Sequence, residues 1–203
     1  MECDGQVIYK HHMERKALAA AKTLLELAAA CYSAQTKDGI IVTEKNRGLL
    51  KERFLSMGLK VDMVDQVWNN MQVDENMEQR CDIEKLNFFG AHMSVAEIRE
   101  QLSEYCDVTA MSFEIPTDDS GEISSKGINK ALGIQKYIEH VGVARKDTIA
   151  FGDGPNDFDM IKYAGIGVAM GNAIEDLKKH ADHVTTGIDE DGIEHALKEL
   201  QLL

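Results

Sequence analysis

The chain has 203 residues, of which 44% are hydrophobic and 28% charged, and its formal net charge is −13. Nucleic-acid binding is not expected, because an acidic chain without a basic run cannot neutralise a phosphate backbone. No stretch approaches the roughly 18 consecutive apolar residues of a membrane-spanning helix, so no membrane partner is expected. The four cysteines are widely spaced, which indicates free thiols in a reducing cytoplasm rather than a zinc site or disulfides.

The first part of the chain, residues 1–115, mixes predicted helices and strands. A long helix is predicted from Met13 to Tyr32, because Leu18, Ala21, Leu25 and Ala28 form one apolar stripe. The other predicted elements are a strand at 40–42, a helix at 45–57, a strand at 84–89, a helix from a Ser94–Glu97 capping box to about Tyr105, and a strand at 108–115. This mixture predicts an α+β domain that ends near Pro116.

The remaining residues, 116–203, alternate more regularly. The predicted elements are a helix capped by Ser124 or Ser125 and running to about His140, strands at 147–151, 167–169 and 183–185, and helices that start at Pro155, Ala173 and Asp191. Because strand and helix alternate in this region, parallel β-α units are expected. The predicted fold class is therefore α/β, with a second α+β domain before it.

The most informative segment runs from Ile149 to Asp157, where an apolar strand enters a Gly152-Asp153-Gly154 turn before a helix. Ligands of parallel α/β sheets bind beyond the carboxyl ends of the strands, where Asp153 would lie. Asp157 follows one helical turn later, so both carboxylates can face one pocket and hold Mg²⁺. The alternative is a Gly/Asp-rich loop in which Asp157 only stabilises the first turn of the helix.

A second segment, Ser124-Ser125-Lys126-Gly127, places a lysine at the predicted start of a helix. Free N–H groups at a helix start favour anions, and a lysine there can hold a phosphate as a point charge. The alternative is that Lys126 is simply solvated.

These segments together resemble a known family. Lys126-Gly127, the Gly152-Asp153-Gly154-x-Asn156-Asp157 block, Val168 to Ala173, and Ala181 to Thr185 with Asp191-Gly192-Ile193 occur in order over about 80 residues. They resemble the haloacid dehalogenase (HAD) superfamily, most closely its Cof-type branch with a large α+β (type IIB) cap. The resemblance implies a cap over residues 1–115 that sets substrate specificity. It also implies the C-terminal half of a Rossmann-like parallel-sheet core over 116–203.

The resemblance also implies roles for individual residues. Lys126, Asp153 and Asp157 would be catalytic, Lys126 and Asn156 would bind the phosphate, and Asp153 and Asp157 would bind Mg²⁺. The implied activity is Mg²⁺-dependent hydrolysis of small phosphorylated metabolites, such as sugar phosphates, through an aspartyl-phosphate.

The Asp-x-Asp-Gly-Thr segment that carries the nucleophile in this family is not found in the sequence. Glu2-Cys3-Asp4-Gly5 and Asp189-Glu190-Asp191-Gly192-Ile193 are the nearest spellings, and both are expected to be structural loops. The expected consequence is a fragment, a truncated product or one half of a complemented assembly. In that case the strand before Asp153 would be an exposed edge that favours self-association.

Three alternatives to a phosphatase are considered. One is a non-catalytic relative that serves as a phosphate- and Mg²⁺-binding or interaction module. Another is a phosphomutase of the same superfamily, which would require a bisphosphate activator. The phosphorylation domain of an ion-pumping ATPase carries a similar Gly-Asp-Gly-x-Asn-Asp block, but the lack of an apolar span argues against it.

Overall fold

The computed structural model describes residues 1–111 and 118–203. The predicted strand end at Ile115, the joint at Pro116 and the predicted domain boundary between 115 and 116 lie outside these residues. The helices and strands in chain order are β1 (Glu2–Cys3), β2 (Gln6–Val7), α1 (Arg15–Leu27), β3 (Cys31–Thr36), β4 (Gly39–Val42), α2 (Glu44–Ser56), α3 (Val61–Asn70), β5 (Met71–Val73), β6 (Lys85–Phe89), α4 (Val95–Leu102), β7 (Cys106–Ala110), β8 (Gly121–Ser125), α5 (Lys130–Val141), β9 (Ile149–Gly152), α6 (Phe158–Tyr163), β10 (Ile166–Ala169), α7 (Glu175–Lys178), β11 (His183–Val184) and α8 (Gly192–Glu199).

The chain divides into two compact units. Residues 11–126 form the mixed-sheet unit, and residues 1–10 together with 127–203 form the parallel-sheet unit. The division therefore falls at 126/127, and the first ten residues belong with the C-terminal part of the chain. No helix in the described segments is long and apolar enough to span a membrane.

The mixed-sheet unit is built on a sheet of order β5-β4-β3-β6-β8-β7, in which β4 and β5 are parallel and the other described pairs are antiparallel. One face packs on the apolar stripes of α1 and α4, where Leu25, Phe88 and Ile98 are fully buried. Because successive strand residues point to opposite faces, Val42 and Phe89 form a second cluster with Leu50 of α2 on the other face.

The predicted apolar stripe of α1 is confirmed, since Leu18, Ala21, Leu25 and Ala28 are all buried. The predicted end of this helix at Tyr32 is wrong. Ala29 takes a positive φ of 53°, and Cys31 then starts β3, which pairs with both β4 and β6. Pairing on both sides of β3 outweighs the local helical preference of the alanine-rich segment.

The parallel-sheet unit contains the order β11-β10-β9, with both neighbouring pairs parallel. The predicted parallel β-α units and the α/β fold class are confirmed. Between the strands, α6 packs through Ile161, and Ala150 and Ala169 lie in the same apolar cluster. Among the described residues β9 pairs only with β10, so it is an edge of this sheet.

The predicted helix start at Ser124 or Ser125 is wrong. Both serines belong to β8, where they pair with Asp107 and Cys106 of β7. The helix α5 begins at Lys130, and its N-cap is Asn129, whose Oδ1 accepts a hydrogen bond from Leu132 N at 3.0 Å. Pairing of Ser124 and Ser125 in the mixed sheet excludes them as caps, and Asn129 sets the start of this helix.

Candidate active site

The candidate site is built on the turn that follows β9. The strand ends at Gly152, and Asp153 follows it directly, at the carboxyl end of a parallel strand. The Asp153 side chain is exposed. This position, where ligands of parallel α/β sheets bind, agrees with the place predicted for it.

Asp157 accepts hydrogen bonds from the backbone of this turn. The residue is only 4% exposed, and Oδ2 accepts hydrogen bonds from Asp153 N at 2.9 Å and Gly154 N at 3.1 Å. A Cβ at position 152 would lie 2.5 Å from the Asp157 Cβ, so a glycine is required there. The Asp157 carboxylate thus fixes the conformation of the backbone that carries Asp153.

The second carboxylate oxygen of Asp157 forms an ion pair with Lys130. Lys130 Nζ donates to Asp157 Oδ1 at 2.5 Å. Burial acts to raise the pKa of the Asp157 carboxyl, but Lys130 and the two backbone amides together outweigh it and lower that pKa below its usual range. The carboxyl is therefore ionised at neutral pH, and it stays so well into the acid range.

Lys130 is positioned by the start of α5. It is the first residue of the helix, directly after the N-cap Asn129. Asn129 Nδ2 donates to Asp159 Oδ2 of α6 at 2.8 Å, which fastens the first turn of α5 to the helix after the Asp153 turn. The Lys130 side chain is about half exposed, so its ammonium contacts Asp157 and also remains accessible to solvent.

Lys126 is the lysine predicted at this site. It belongs to the mixed-sheet unit, and its Nζ donates to the carbonyl of Ser103 at 2.5 Å. Its catalytic and phosphate-binding roles stay predictions, while the ion pair with Asp157 is made by Lys130. The sequence signal that identifies Lys130 is Asn129 as an N-cap together with Gly142 as the C-cap, where φ is 72°.

Asp153 has one oxygen engaged by protein. Asn172 Nδ2 donates to Asp153 Oδ2 at 3.1 Å. Within residues 1–111 and 118–203 there is no group of three or more His, Cys, Asp or Glu side chains able to hold a metal ion. Mg²⁺ fits Asp153 nevertheless, because this ion typically keeps several waters and takes one or two carboxylates and phosphate oxygens. The metal role predicted for Asp157 stays a prediction, since its oxygens already accept three hydrogen bonds.

Asn156 lies in the 3₁₀ turn of Pro155–Asp157, which leads into α6, and its side chain is exposed. The prediction that Pro155 opens a helical segment is confirmed, with a 3₁₀ turn before α6. The phosphate-binding role of Asn156 stays a prediction.

The two near-matches to the nucleophile motif have local structural roles. Asp4 and Gly5 have φ values of 48° and 78° between β1 and β2, as a two-residue type I′ hairpin turn requires. Asp189 lies in a 3₁₀ turn, and Asp191, with φ of 54°, is the N-cap residue of α8. Their expected status as structural loops agrees with these placements.

The chain matches a known protein family. A sequence model of the haloacid dehalogenase-like hydrolase family matches residues 2–197. The 5-amino-6-(5-phospho-D-ribitylamino)uracil phosphatase YitU of Bacillus subtilis is 31% identical over 176 residues, which are 74% of this chain and 62% of YitU. YkrA of the same organism is 55% identical over 84 residues, which are 41% of this chain and 33% of YkrA. The matches thus span less than two thirds of either relative.

Solved structures show a similar fold. The HAD subclass IIB sugar phosphatase BT4131 superposes with a TM-score of 0.74 at 26% identity, over 98% of this chain and 71% of that one. A hypothetical protein from Geobacillus kaustophilus gives a TM-score of 0.74 at 28% identity, over 99% of this chain and 73% of that one.

Proposed function

The chain belongs to the haloacid dehalogenase-like hydrolase family, and on that premise we propose that it acts as a Mg²⁺-dependent phosphatase of small phosphorylated metabolites. The observation that carries the proposal is the Lys130–Asp157–Asp153 arrangement at the end of β9. It presents a cation and an exposed carboxylate on a turn whose backbone is already fixed, which suits the binding of a charged phosphoryl group.

Asp153 is the residue that would hold Mg²⁺ in this proposal. When bound, the ion would supply Lewis-acid charge to a phosphoryl oxygen. Asp157 keeps the Asp153 backbone in place and orients the Lys130 side chain. Asp157 is therefore a supporting residue here rather than a metal ligand.

Lys130 takes the phosphate-binding role in this proposal. Its ammonium is a compact point charge at the first position of a twelve-residue helix, and point charges of this kind bind phosphate oxygens. Lys126 is less suited to this role, because its ammonium already donates to the Ser103 carbonyl in the mixed-sheet unit.

The substrate class rests on the relatives. YitU is named for a phosphorylated ribitylamino compound and BT4131 is named a sugar phosphatase. Sugar-phosphate-like metabolites are therefore the proposed substrates, with the mixed-sheet unit in the substrate-selecting role.

A second candidate function is a phosphate- and Mg²⁺-binding module without turnover. The observation that favours it is that the sequence contains no Asp-x-Asp-Gly-Thr segment, while both near-matches serve as turns. Binding would then depend on Asp153 and Lys130 in the same way, but no phosphoryl transfer would follow.

Self-association through the edge of β9 is part of the proposal. Tyr137, Val141 and Val143 are between 41% and 45% exposed beside β9, and with Ile149 they line an apolar groove of about 410 Å³. Exposed edge strands flanked by apolar surface tend to pair with another chain. Light scattering after size exclusion should report a species larger than the monomer, and Tyr137→Glu should shift it toward the monomer. A monomer at all concentrations would contradict this part.

The direct test of the phosphatase proposal is the hydrolysis of p-nitrophenyl phosphate with and without Mg²⁺. The variant is Asp153→Ala, and the matched control is Asp62→Ala at an exposed site in α3 of the other unit. Turnover that needs Mg²⁺ and is lost only in Asp153→Ala supports the proposal. Mg²⁺-dependent binding of inorganic phosphate without turnover favours the second candidate. Equal behaviour of the parent and Asp153→Ala in both assays overturns both.

A further inference from the structure

The side chain of Asn172 joins the turn after β9 to the 3₁₀ turn that begins at Ile188. Its Nδ2 donates to Asp153 Oδ2 at 3.1 Å, and its Oδ1 accepts from the backbone N of Ile188 at 3.1 Å. Asn172 itself is exposed and fills no part of the apolar core. Its side-chain contacts are therefore polar and directional, and one of them reaches the Asp153 carboxylate.

The orientation of this amide follows from its partners. A backbone N–H can only donate, and an ionised carboxylate can only accept. Oδ1 must therefore face Ile188 and Nδ2 must face Asp153. An aspartate at the same position could keep the contact with Ile188, but it would set a second negative charge against Asp153.

The backbone around Asn172 is also fastened to the end of β9. Met170 N donates to Gly152 O at 2.9 Å, and Ile174 N donates to Asp153 O at 3.1 Å. On the other side, Gly171 N donates to Thr186 O at 2.9 Å, and a Cβ at position 171 would lie 2.6 Å from Gly187 N. The amide of Asn172 is thus held between two fixed segments, and its freedom to rotate is small.

We propose that Asn172 is a positioning residue, which fixes the Asp153 carboxylate so that Oδ1 stays directed to a divalent cation. This inference rests on the proposed role of Asp153. Groups that hydrogen-bond a metal-binding carboxylate restrict its rotation, and their loss typically weakens metal binding by about tenfold or more. The Ile188 N–H is the anchor that keeps the Asn172 amide in place.

The first experiment measures Mg²⁺ affinity of the metal-free chain by isothermal titration calorimetry, with thermal unfolding in the absence of metal measured alongside. Asn172→Ala is expected to weaken Mg²⁺ binding about tenfold. Asn70→Ala is the matched control, because Asn70 donates to Gln66 O at an exposed position in the mixed-sheet unit. The control is expected to leave Mg²⁺ affinity unchanged.

A second pair of variants isolates the anchor. Ile188→Pro removes the backbone N–H that Asn172 accepts from, together with the isoleucine side chain. Ile188 is 68% exposed, is the first residue of a 3₁₀ turn, and follows Gly187 at φ −67° and ψ 168°, which suits a proline at 188. Ile188→Ala removes the side chain and keeps the N–H. Weaker Mg²⁺ binding in Ile188→Pro, but not in Ile188→Ala, is the expected result.

The outcomes separate this inference from the proposed function. If Asp153→Ala abolishes Mg²⁺ binding while Asn172→Ala binds like the parent, the role of Asn172 is overturned and the Asp153 site stands. If Asp153→Ala itself binds Mg²⁺ like the parent, the site fails and the role of Asn172 fails with it. If Asn172→Ala lowers thermal stability without changing Mg²⁺ affinity, its role is structural and the inference is also overturned.

Discussion

The ammonium of Lys130 and the buried carboxylate of Asp157 form an ion pair in which Nζ and Oδ1 are 2.5 Å apart. This pair joins the first turn of α5 to the turn after β9. Because Asp157 also accepts from the amides of Asp153 and Gly154, one buried carboxylate fixes both the proposed metal-binding residue and the proposed phosphate-binding residue.

Substituting each of the two candidate lysines tests which of them binds the phosphate. Lys130→Met is expected to lower kcat/KM for p-nitrophenyl phosphate about a hundredfold, because it removes a charge aimed at the phosphoryl group. If only binding is detectable, affinity for inorganic phosphate should fall instead. Lys126→Met is the matched control, since Lys126 donates to the Ser103 carbonyl. A larger effect in Lys126→Met would return the role to that residue.

The lowered pKa of Asp157 makes part of the stability depend on pH. Since the folded-state pKa lies below the unfolded value of about 3.9, the carboxylate stabilises the fold above that pH. The contribution is lost as pH falls through the folded-state pKa. Asp157→Asn should therefore cost about 2–3 kcal/mol in free energy of unfolding at pH 7. Urea denaturation should show this difference shrinking below about pH 4. A difference that is constant with pH would contradict the ionised role.

Two glycine-to-alanine changes in the parallel-sheet unit should have opposite signs. Gly152→Ala places a Cβ 2.5 Å from Asp157 Cβ, so the turn must shift, and a loss of about 1–3 kcal/mol in unfolding free energy is expected. Gly133 lies inside α5, where a Cβ would meet only Met1 Sδ at 3.7 Å. Gly133→Ala should therefore stabilise the chain by about 0.5–1 kcal/mol. Thermal unfolding of both variants measures these two changes in stability. A Gly152→Ala variant as stable as the parent would show that the Asp157 side chain can move away from the added Cβ.

The four cysteines should divide into two reactivity classes. Burial raises the pKa of the Cys31 thiol to about 11 and that of Cys106 to about 11, whereas Cys81 is exposed and Cys3 is partly exposed. Thiolates are the reactive form, so Ellman's reagent at pH 8 should modify Cys3 and Cys81 quickly. Cys31 and Cys106 should react only after unfolding in guanidinium. Fast modification of all four thiols in the native chain would contradict the burial of the two raised-pKa cysteines.

The pattern of residues determined the parts of this protein that depend on local periodicity and turn chemistry. The stripe of α1, the Ser94–Glu97 capping box and the parallel pair of β9 and β10 follow from the sequence pattern, and the structure confirms them. The family resemblance rests on the same segments, and the match over residues 2–197 agrees with it.

Only the tertiary structure decided which lysine faces Asp157 and where two of the helices end or begin. Local preference favoured a helix through Tyr32 and another from Ser124, but pairing in the mixed sheet claims Tyr32 for β3 and Ser124 for β8. That pairing moves the start of α5 to Lys130 and leaves Lys126 on the Ser103 carbonyl. Sheet hydrogen bonds join segments that are far apart in the chain, so a local sequence window does not contain their contribution to the free energy of folding. The contact between Lys130 and Asp157 likewise joins residues 27 positions apart.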